Sequence, residues 1–180
     1  KKIAFLGGMD IAVIRNFEQG FRQGAALIGA DIEILSRMTG ATPSAFNDPY
    51  RGYRLGLGML DQGADVIFAA AGSTGLGALQ AAVDRSAIAI GVDTDQNDLF
   101  PNAIVASVLK RVDLAVYQTL KDARAGQWRA GIHVMQIADG GIALAFAPTA
   151  QSRLGQERLT HVEAITADIA VGRIAIEQKR

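Results

Sequence analysis

Residues 64–83 read ADVIFAAAGSTGLGALQAAV. The first nine form an apolar run stopped by Gly72, too short for a helix and long enough for a strand. Its lack of alternation predicts a strand covered on both faces, as in a parallel sheet between helices. The next eleven, 73–83, read as a helix. A buried strand that passes into a helix through a Gly-Ser junction is the repeating unit of an α/β fold.

The same alternation extends outward in both directions. Towards the N-terminus, KIAFLGG (2–8) reads as a buried strand. Apolar residues at 14, 17, 21, 25 and 28 predict a helix over 11–28, with Asp10 as its N-cap. ADIEILS (30–36) alternates as a strand. Pro49 heads a helix reaching Gln62, with Asp48 as cap. Towards the C-terminus, AIAIGVD (87–93) and IVASVLK (104–110) are strands. A helix follows from Arg111 to about Ala125, with Val112, Ala115, Val116 and Leu120 on one face. Weaker strands are expected at 133–138 and 141–146, and a last helix at 157–171 carries Leu159, Val162, Ile165 and Ile169 on one side. Trp128 reads as packing after a helix end. The expected class is therefore a three-layer α/β fold, a parallel sheet flanked by helices. APTAQSRLGQE (147–157) reads as a hinge.

Composition narrows the function classes. The 180 residues carry no net charge and are 49% hydrophobic. A basic footprint is missing, which argues against nucleic acid as a partner. No run of 18 apolar residues predicts a membrane span, and KKIAFL is too short for a signal peptide. The absence of cysteine excludes disulfides, Cys-ligated zinc and thiol catalysis. His133 and His161 lie far apart, and no Ser-His-Asp or His-metal arrangement is visible. No enzyme chemistry and no cofactor are expected. Asp93, Asp95 and Asp98 give D-x-D-x-x-D, but the Gly and Glu of a calcium loop are absent, so no metal is expected either.

Ligands of open α/β sheets bind outside the carboxyl ends of the strands. Four stretches stand there: Gly7-Gly8-Met9-Asp10, the loop 37–48, Gly72-Ser73-Thr74-Gly75, and Asp93-Thr94-Asp95-Gln96. GSTGLG (72–77) lets backbone N–H groups approach a ligand at a helix start, or is only a tight turn; it is neither a dinucleotide fingerprint nor a Walker A loop. Phe46, in a polar loop, is either a packing anchor or a stacking platform for a flat ring. Asp48 is better read as a cap, and Asn47 serves either role. Asp93 is either a solvated turn residue or a carboxylate accepting two neighbouring hydroxyls. Lys110, at the end of the next strand, is a surface lysine unless it lies beside Asp93 and donates to the same hydroxyls.

Taken in order, GGMD, FNDPYRG, GADVIFAAAGSTGLGALQAA, AIGVDTDQND and SVLKRVDLAVYQTLKDARAGQW resemble the basic membrane protein family, the substrate-binding proteins of ABC-type nucleoside importers. The matching motifs run from Gly7 to about Gly141, and VEAITADIAVGRI resembles the family's C-terminal helix. The resemblance implies one lobe of a type I periplasmic binding protein, residues 1–146, followed by a hinge return and C-terminal helix over 147–180. It implies a purine nucleoside clamped between two lobes. Phe46 would stack on the base, Asp93 and Lys110 would hold the ribose, and Gly72 would let the backbone approach. Met9, Asp10, Asn47 and Ser73 would complete the lining.

The departures are specific. The family's first lobe, with its own ring and polar loop, has no counterpart here, so the chain is expected to be a fragment entered at the hinge into the second lobe. Ala69 stands where family members often have Gln, and the aromatic loop TGATPSAFNDP is of a longer type. The implied partners are the missing lobe and a membrane permease. The lobe face that meets the first lobe is expected to be exposed, and the last helix with its apolar stripe to fold back on its own lobe; either one is alternatively expected to pair with a second copy as a homodimer. The implied location is the periplasm or the outer face of the cytoplasmic membrane, with any signal or lipid anchor upstream. The competing readings are a cytoplasmic sensor or regulator of the same fold, a sugar-binding effector lobe, and a small Rossmann-like enzyme. Phe46 counts against a ribose-only site, and the enzyme lacks both fingerprint and catalytic residue.

Overall fold

The computed structural model describes residues 1–177. Strands β1 (Lys2–Met9), β2 (Glu33–Gly40), β3 (Val66–Ala70), β4 (Ile88–Asp93), β5 (Ile104–Lys110) and β6 (Ile142–Phe146) form one sheet in the order β2-β1-β3-β4-β5-β6. The first five pair in parallel. β6 runs antiparallel to β5, which departs from the all-parallel expectation. Helices are α1 (Ala12–Ile28), α2 (Pro49–Asp61), α3 (Ser73–Asp84), α4 (Val112–Arg124), α5 (Ala150–Leu154) and α6 (Gln156–Ala170), with a 3-10 turn over Pro43–Phe46.

The alternating side chains of the strands feed two apolar layers. Ala4, Leu6, Ile67, Ala69 and Ala89 pack with Met59 and Leu60 of α2 and Leu79, Ala81 and Ala82 of α3. Phe5, Phe68, Ala70 and Val92 point the other way, against Ile14, Phe17 and Phe21 of α1. There the ring of Phe68 meets Phe5 edge-on at 5.7 Å and Phe17 at 6.1 Å. The unbroken apolarity of β3 thus has its cause: both of its faces are buried.

α1 carries a charged residue into this second layer. The Glu18 side chain is 7% exposed and accepts from Arg22 Nη2 at 2.7 Å and Arg15 Nη1 at 2.6 Å. Burial pushes its carboxyl up, but hydrogen bonds from Arg22, Ser36 and Arg15 outweigh this and hold it below the ordinary value of 4.5. A carboxyl held low stabilises the fold above its unfolded pKa, and that stabilisation is lost as pH falls through the folded value. Glu18→Gln is therefore expected to cost about 2 kcal/mol at neutral pH. The gap from the parent should close as pH drops below 4.5. Urea unfolding at several pH values checks this; a gap of constant size down to pH ~3 would refute it.

Several expectations are corrected. Asp10 is not the N-cap of α1. Ile11 stands there with no side-chain cap bond, because Arg15 takes both Asp10 carboxylate oxygens. Asp48 does cap α2, accepting from Arg51 N at 2.9 Å. β2 starts at Glu33, three residues late, and runs on to Gly40. No strand forms at 133–138: β6 occupies the free edge of β5, and this stretch runs as an irregular strap with Ile132 and Val134 exposed. The face of α4 bearing Val112, Val116 and Leu120 is open to solvent, while Leu114 and Ala115 turn inward. Trp128 is 52% exposed rather than packed.

The stretch 147–157 holds α5, which composition alone did not reveal. Ala150 is buried, and Arg153 donates to the carbonyls of Asn102 and Ala103, so the segment is docked on the sheet. Leu159, Val162, Ile165 and Ile169 of α6 are half-buried. Beyond α6 the chain returns to α1, where the Gln23 amide pairs with both the N–H and the carbonyl of Glu177. The last three residues of the 147–180 segment lie outside the described residues.

Candidate functional site

Five parallel strands bring their carboxyl ends to one edge of the sheet. The strand order changes direction at β1 and β3, which places the topological switch point between Gly8-Met9 and Gly72-Ser73. Phe46 reaches this point from the far side of β1. A Cβ on Gly8 would overlap its ring, and a Cβ on Gly72 would stand 3.0 Å from its carbonyl oxygen. Gly72 has φ 57 and ψ −139, a conformation that only glycine adopts without strain. Ser73 Oγ lies 2.9 Å from the Phe46 carbonyl oxygen and 2.9 Å from Asn47 Oδ1. Phe46, Asn47, Gly72 and Ser73 thus form one cluster.

Two threonines in these strand-end stretches hold this loop in place. Thr39, fully buried at the end of β2, donates to the carbonyl of Ala45 at 2.7 Å and approaches that of Gly8 at 3.2 Å. Thr74 Oγ1 accepts from Asp48 N at 2.7 Å. The structure keeps both alternatives for Phe46 open. Its ring is half-buried and packs on the α1 layer, yet it stands at the strand-end edge.

Further along the same edge, Lys110 Nζ lies 2.9 Å from Asp93 Oδ1. The two side chains are 48% and 43% exposed, so the pair is open to a ligand. Asp93 has φ +68, one of two non-glycine residues with positive φ among those described. The Thr94 N–H donates to the Val92 carbonyl at 2.8 Å, closing a three-residue turn with Asp93 at its apex. This class of turn is rare and strained for a side-chain-bearing residue.

Of the polar residues after Asp93, Gln96 and Asn97 are not solvated filler, while Thr94, Asp95 and Asp98 are exposed. Gln96 Oε1 accepts from Val92 N at 2.9 Å, and Gln96 N donates to Ser107 Oγ at 3.1 Å. Ser107 and Asn97, both buried, bond at 3.1 Å, and Asn97 Nδ2 reaches the Ala145 carbonyl on β6 at 3.2 Å. Asp95 closes a local turn by accepting from Asn97 N. The signal for this network was a lone Ser inside the apolar run IVASVLK, which sequence analysis read only as a strand.

Met9 is half-buried at the end of β1. Asp10 stands at the same edge with its carboxylate committed to Arg15, so it offers a bonded anion rather than an open acceptor. No cluster of three or more potential metal ligands occurs among the described residues. A groove of about 810 Å³ lies between α4 and the 127–142 strap, lined by Leu114, Gln118, Trp128, His133 and Met135. It takes Lys110 at its rim but none of Phe46, Gly72, Ser73 or Asp93. The strand-end cluster, where chemistry and topology coincide, is the better candidate.

The family model described as ABC transporter substrate-binding protein, PnrA-like, matches residues 1–179. An uncharacterised lipoprotein of Pyrococcus furiosus is 34% identical over 150 residues, covering 78% of this chain and 37% of its own length. Basic membrane protein D of Borreliella burgdorferi is 36% identical over 122 residues, covering 67% of this chain and 35% of its own. The chain thus spans little more than a third of these relatives. A solute-binding protein of an ABC transporter system from Aeropyrum pernix superposes with TM-score 0.79 and 26% identity, over 99% of this chain and 58% of that one. With the family model matching almost end to end, the chain belongs to the Bmp family of PnrA-like ABC transporter substrate-binding proteins.

Proposed function

We propose that this chain is the C-terminal ligand-binding lobe of an extracytoplasmic receptor that delivers a nucleoside, a purine nucleoside foremost, to an ABC permease. The observation that carries the proposal is the Asp93–Lys110 pair on the strand-end edge that also bears Phe46 and Gly72. Residues 1–146 form the lobe in this reading, and the segment from 147 on, docked on that lobe through Arg153 and Glu177, carries the hinge return and the last helix. A second lobe, outside this chain, closes the clamp. The lipoprotein relative supports a location outside the cytoplasmic membrane.

The chemistry follows from donor and acceptor count. A carboxylate only accepts and an ammonium only donates. Side by side, they suit a pair of neighbouring hydroxyls, which donate to Asp93 and accept from Lys110. Ionised partners make these bonds stronger than neutral ones. Phe46 offers an aromatic surface to a flat base at low conformational cost. Gly72, lacking a side chain, lets Ser73 and the start of α3 approach. One lobe supplies half of the contacts, so the chain alone binds more weakly than the two-lobe protein.

Calorimetric titration of this chain, alone and within its longer reading frame, against adenosine, guanosine, inosine, uridine and ribose tests the proposal. A purine nucleoside is expected to bind, and Phe46→Ala to weaken it by more than about 1 kcal/mol. Binding of ribose alone, or of no nucleoside by the longer protein, would overturn the substrate assignment.

A further inference from the structure

We infer that Gln96 and Ser107 are positioning residues that hold Asp93 on its strained turn and so set affinity for the diol of a ligand. The inference rests on the proposed role of Asp93 as acceptor of sugar hydroxyls. It names residues with no direct part in that contact.

Asp93 at φ +68 sits in a region that L side chains rarely adopt. Such a conformation persists only where the surroundings over-determine it. They do so here through Val92. Its carbonyl is held by Thr94 N at 2.8 Å and its N–H by Gln96 Oε1 at 2.9 Å, so both polar groups preceding Asp93 are fixed. Gln96 is fixed in turn by Ser107 Oγ on β5. Ser107 is itself fixed by Asn97, whose amide is anchored to β6.

The space is matched as well. Gly91 is the register partner of Ser107, and a Cβ there would overlap Ser107 Oγ and stand 3.0 Å from Gln96 Oε1. The glycine makes room for the two polar side chains. The bracing crosses from β4 to β5, and Asp93 and Lys110 lie at the ends of those same two strands. Holding the strands in this register with the turn closed therefore sets the carboxylate–ammonium spacing.

The test uses Gln96, which is only half-buried, so that its variants fold. Gln96→Met removes the acceptor for Val92 N–H at similar volume, and Gln96→Glu restores it. The probes are adenosine and 2′,3′-dideoxyadenosine, titrated into the protein in its longer reading frame. Gln96→Met is expected to lower adenosine affinity about 10-fold and dideoxyadenosine affinity less than about 2-fold, with a single cooperative urea transition retained. Gln96→Glu should recover adenosine binding. An equal loss for both probes, or no rescue by Glu, would show a merely structural role and overturn the inference. Amide exchange at Val92, measured without ligand, should quicken at least about 10-fold in Gln96→Met. Unchanged exchange overturns the bracing. If the parent binds neither probe, the nucleoside reading has failed, and the exchange result alone decides whether Gln96 braces the turn.

Discussion

Gly77→Ala is expected to be among the most destabilising single substitutions in this protein. A Cβ at Gly77 would overlap the Pro49 carbonyl oxygen and stand 2.6 Å from Tyr53 N. Its counterpart Gly52 faces the Thr74 carbonyl just as closely. At this crossing, α2 and α3 touch backbone to backbone, and a backbone cannot rotate aside as a side chain can. One methyl group would have to part the two helices, opening the layer that buries Met59, Leu60 and Leu79. The cost should exceed about 3 kcal/mol, at the upper end of overpacking effects. Gly24 in α1 is the control: a Cβ there meets nothing within 4 Å. Ala at that position should stabilise by about 0.5–1 kcal/mol through helix propensity. Urea unfolding of both variants decides the matter. A Gly77→Ala protein with a parental midpoint would mean that the helices do not cross as described.

Asp93→Gly is expected to abolish nucleoside binding while leaving stability nearly unchanged. Glycine accepts φ +68 without strain, a gain on the order of 1 kcal/mol. Against this stand the greater freedom of glycine in the unfolded chain, about 0.5–1 kcal/mol, and the exposed pair with Lys110, worth about 0–1 kcal/mol. These offset each other, so the melting temperature should move by no more than about 4 °C. Binding has no such offset. Two hydroxyls would lose a charged acceptor worth about 1.5–3 kcal/mol each, and affinity should fall at least about 100-fold. Parallel calorimetry and thermal unfolding check this. Parental affinity in Asp93→Gly would remove Asp93 from the site, and a melting temperature lowered by about 10 °C would make it a structural residue.

Local pattern carried much of the fold. The apolar run 64–72, the helical spacing across 11–28 and the proline at 49 each depend on residues near in sequence, and β1, α1, α2, β3, α3, β4 and β5 appear at or close to their expected places. The candidate site was legible through position: Phe46, Gly72, Asp93 and Lys110 follow strands, and parallel strands deliver such residues to one edge. The conditional pairing of Lys110 with Asp93 is found at 2.9 Å. What failed was whatever depended on a competing partner. Asp10 had the composition of a cap, but Arg15 claims its carboxylate. The apolar residues Val112, Val116 and Leu120 had the spacing of a core face, but each stands more than half exposed.

The sequence by itself determined the α/β class, the family, and the edge of the sheet on which to look for a ligand. These follow from periodicity and from the order of short motifs, which survive without coordinates. Only the tertiary structure decided that β6 runs antiparallel, that 147–157 carries a docked helix, and that Gln96, Asn97 and Ser107 are one buried network. It also separated Gly77, pressed against the Pro49 carbonyl, from Gly24, which faces open space. The physical reason is common to all of these. A hydrogen bond or a steric clash belongs to a pair of groups, and where the pair is distant along the chain, only the folded backbone brings it together.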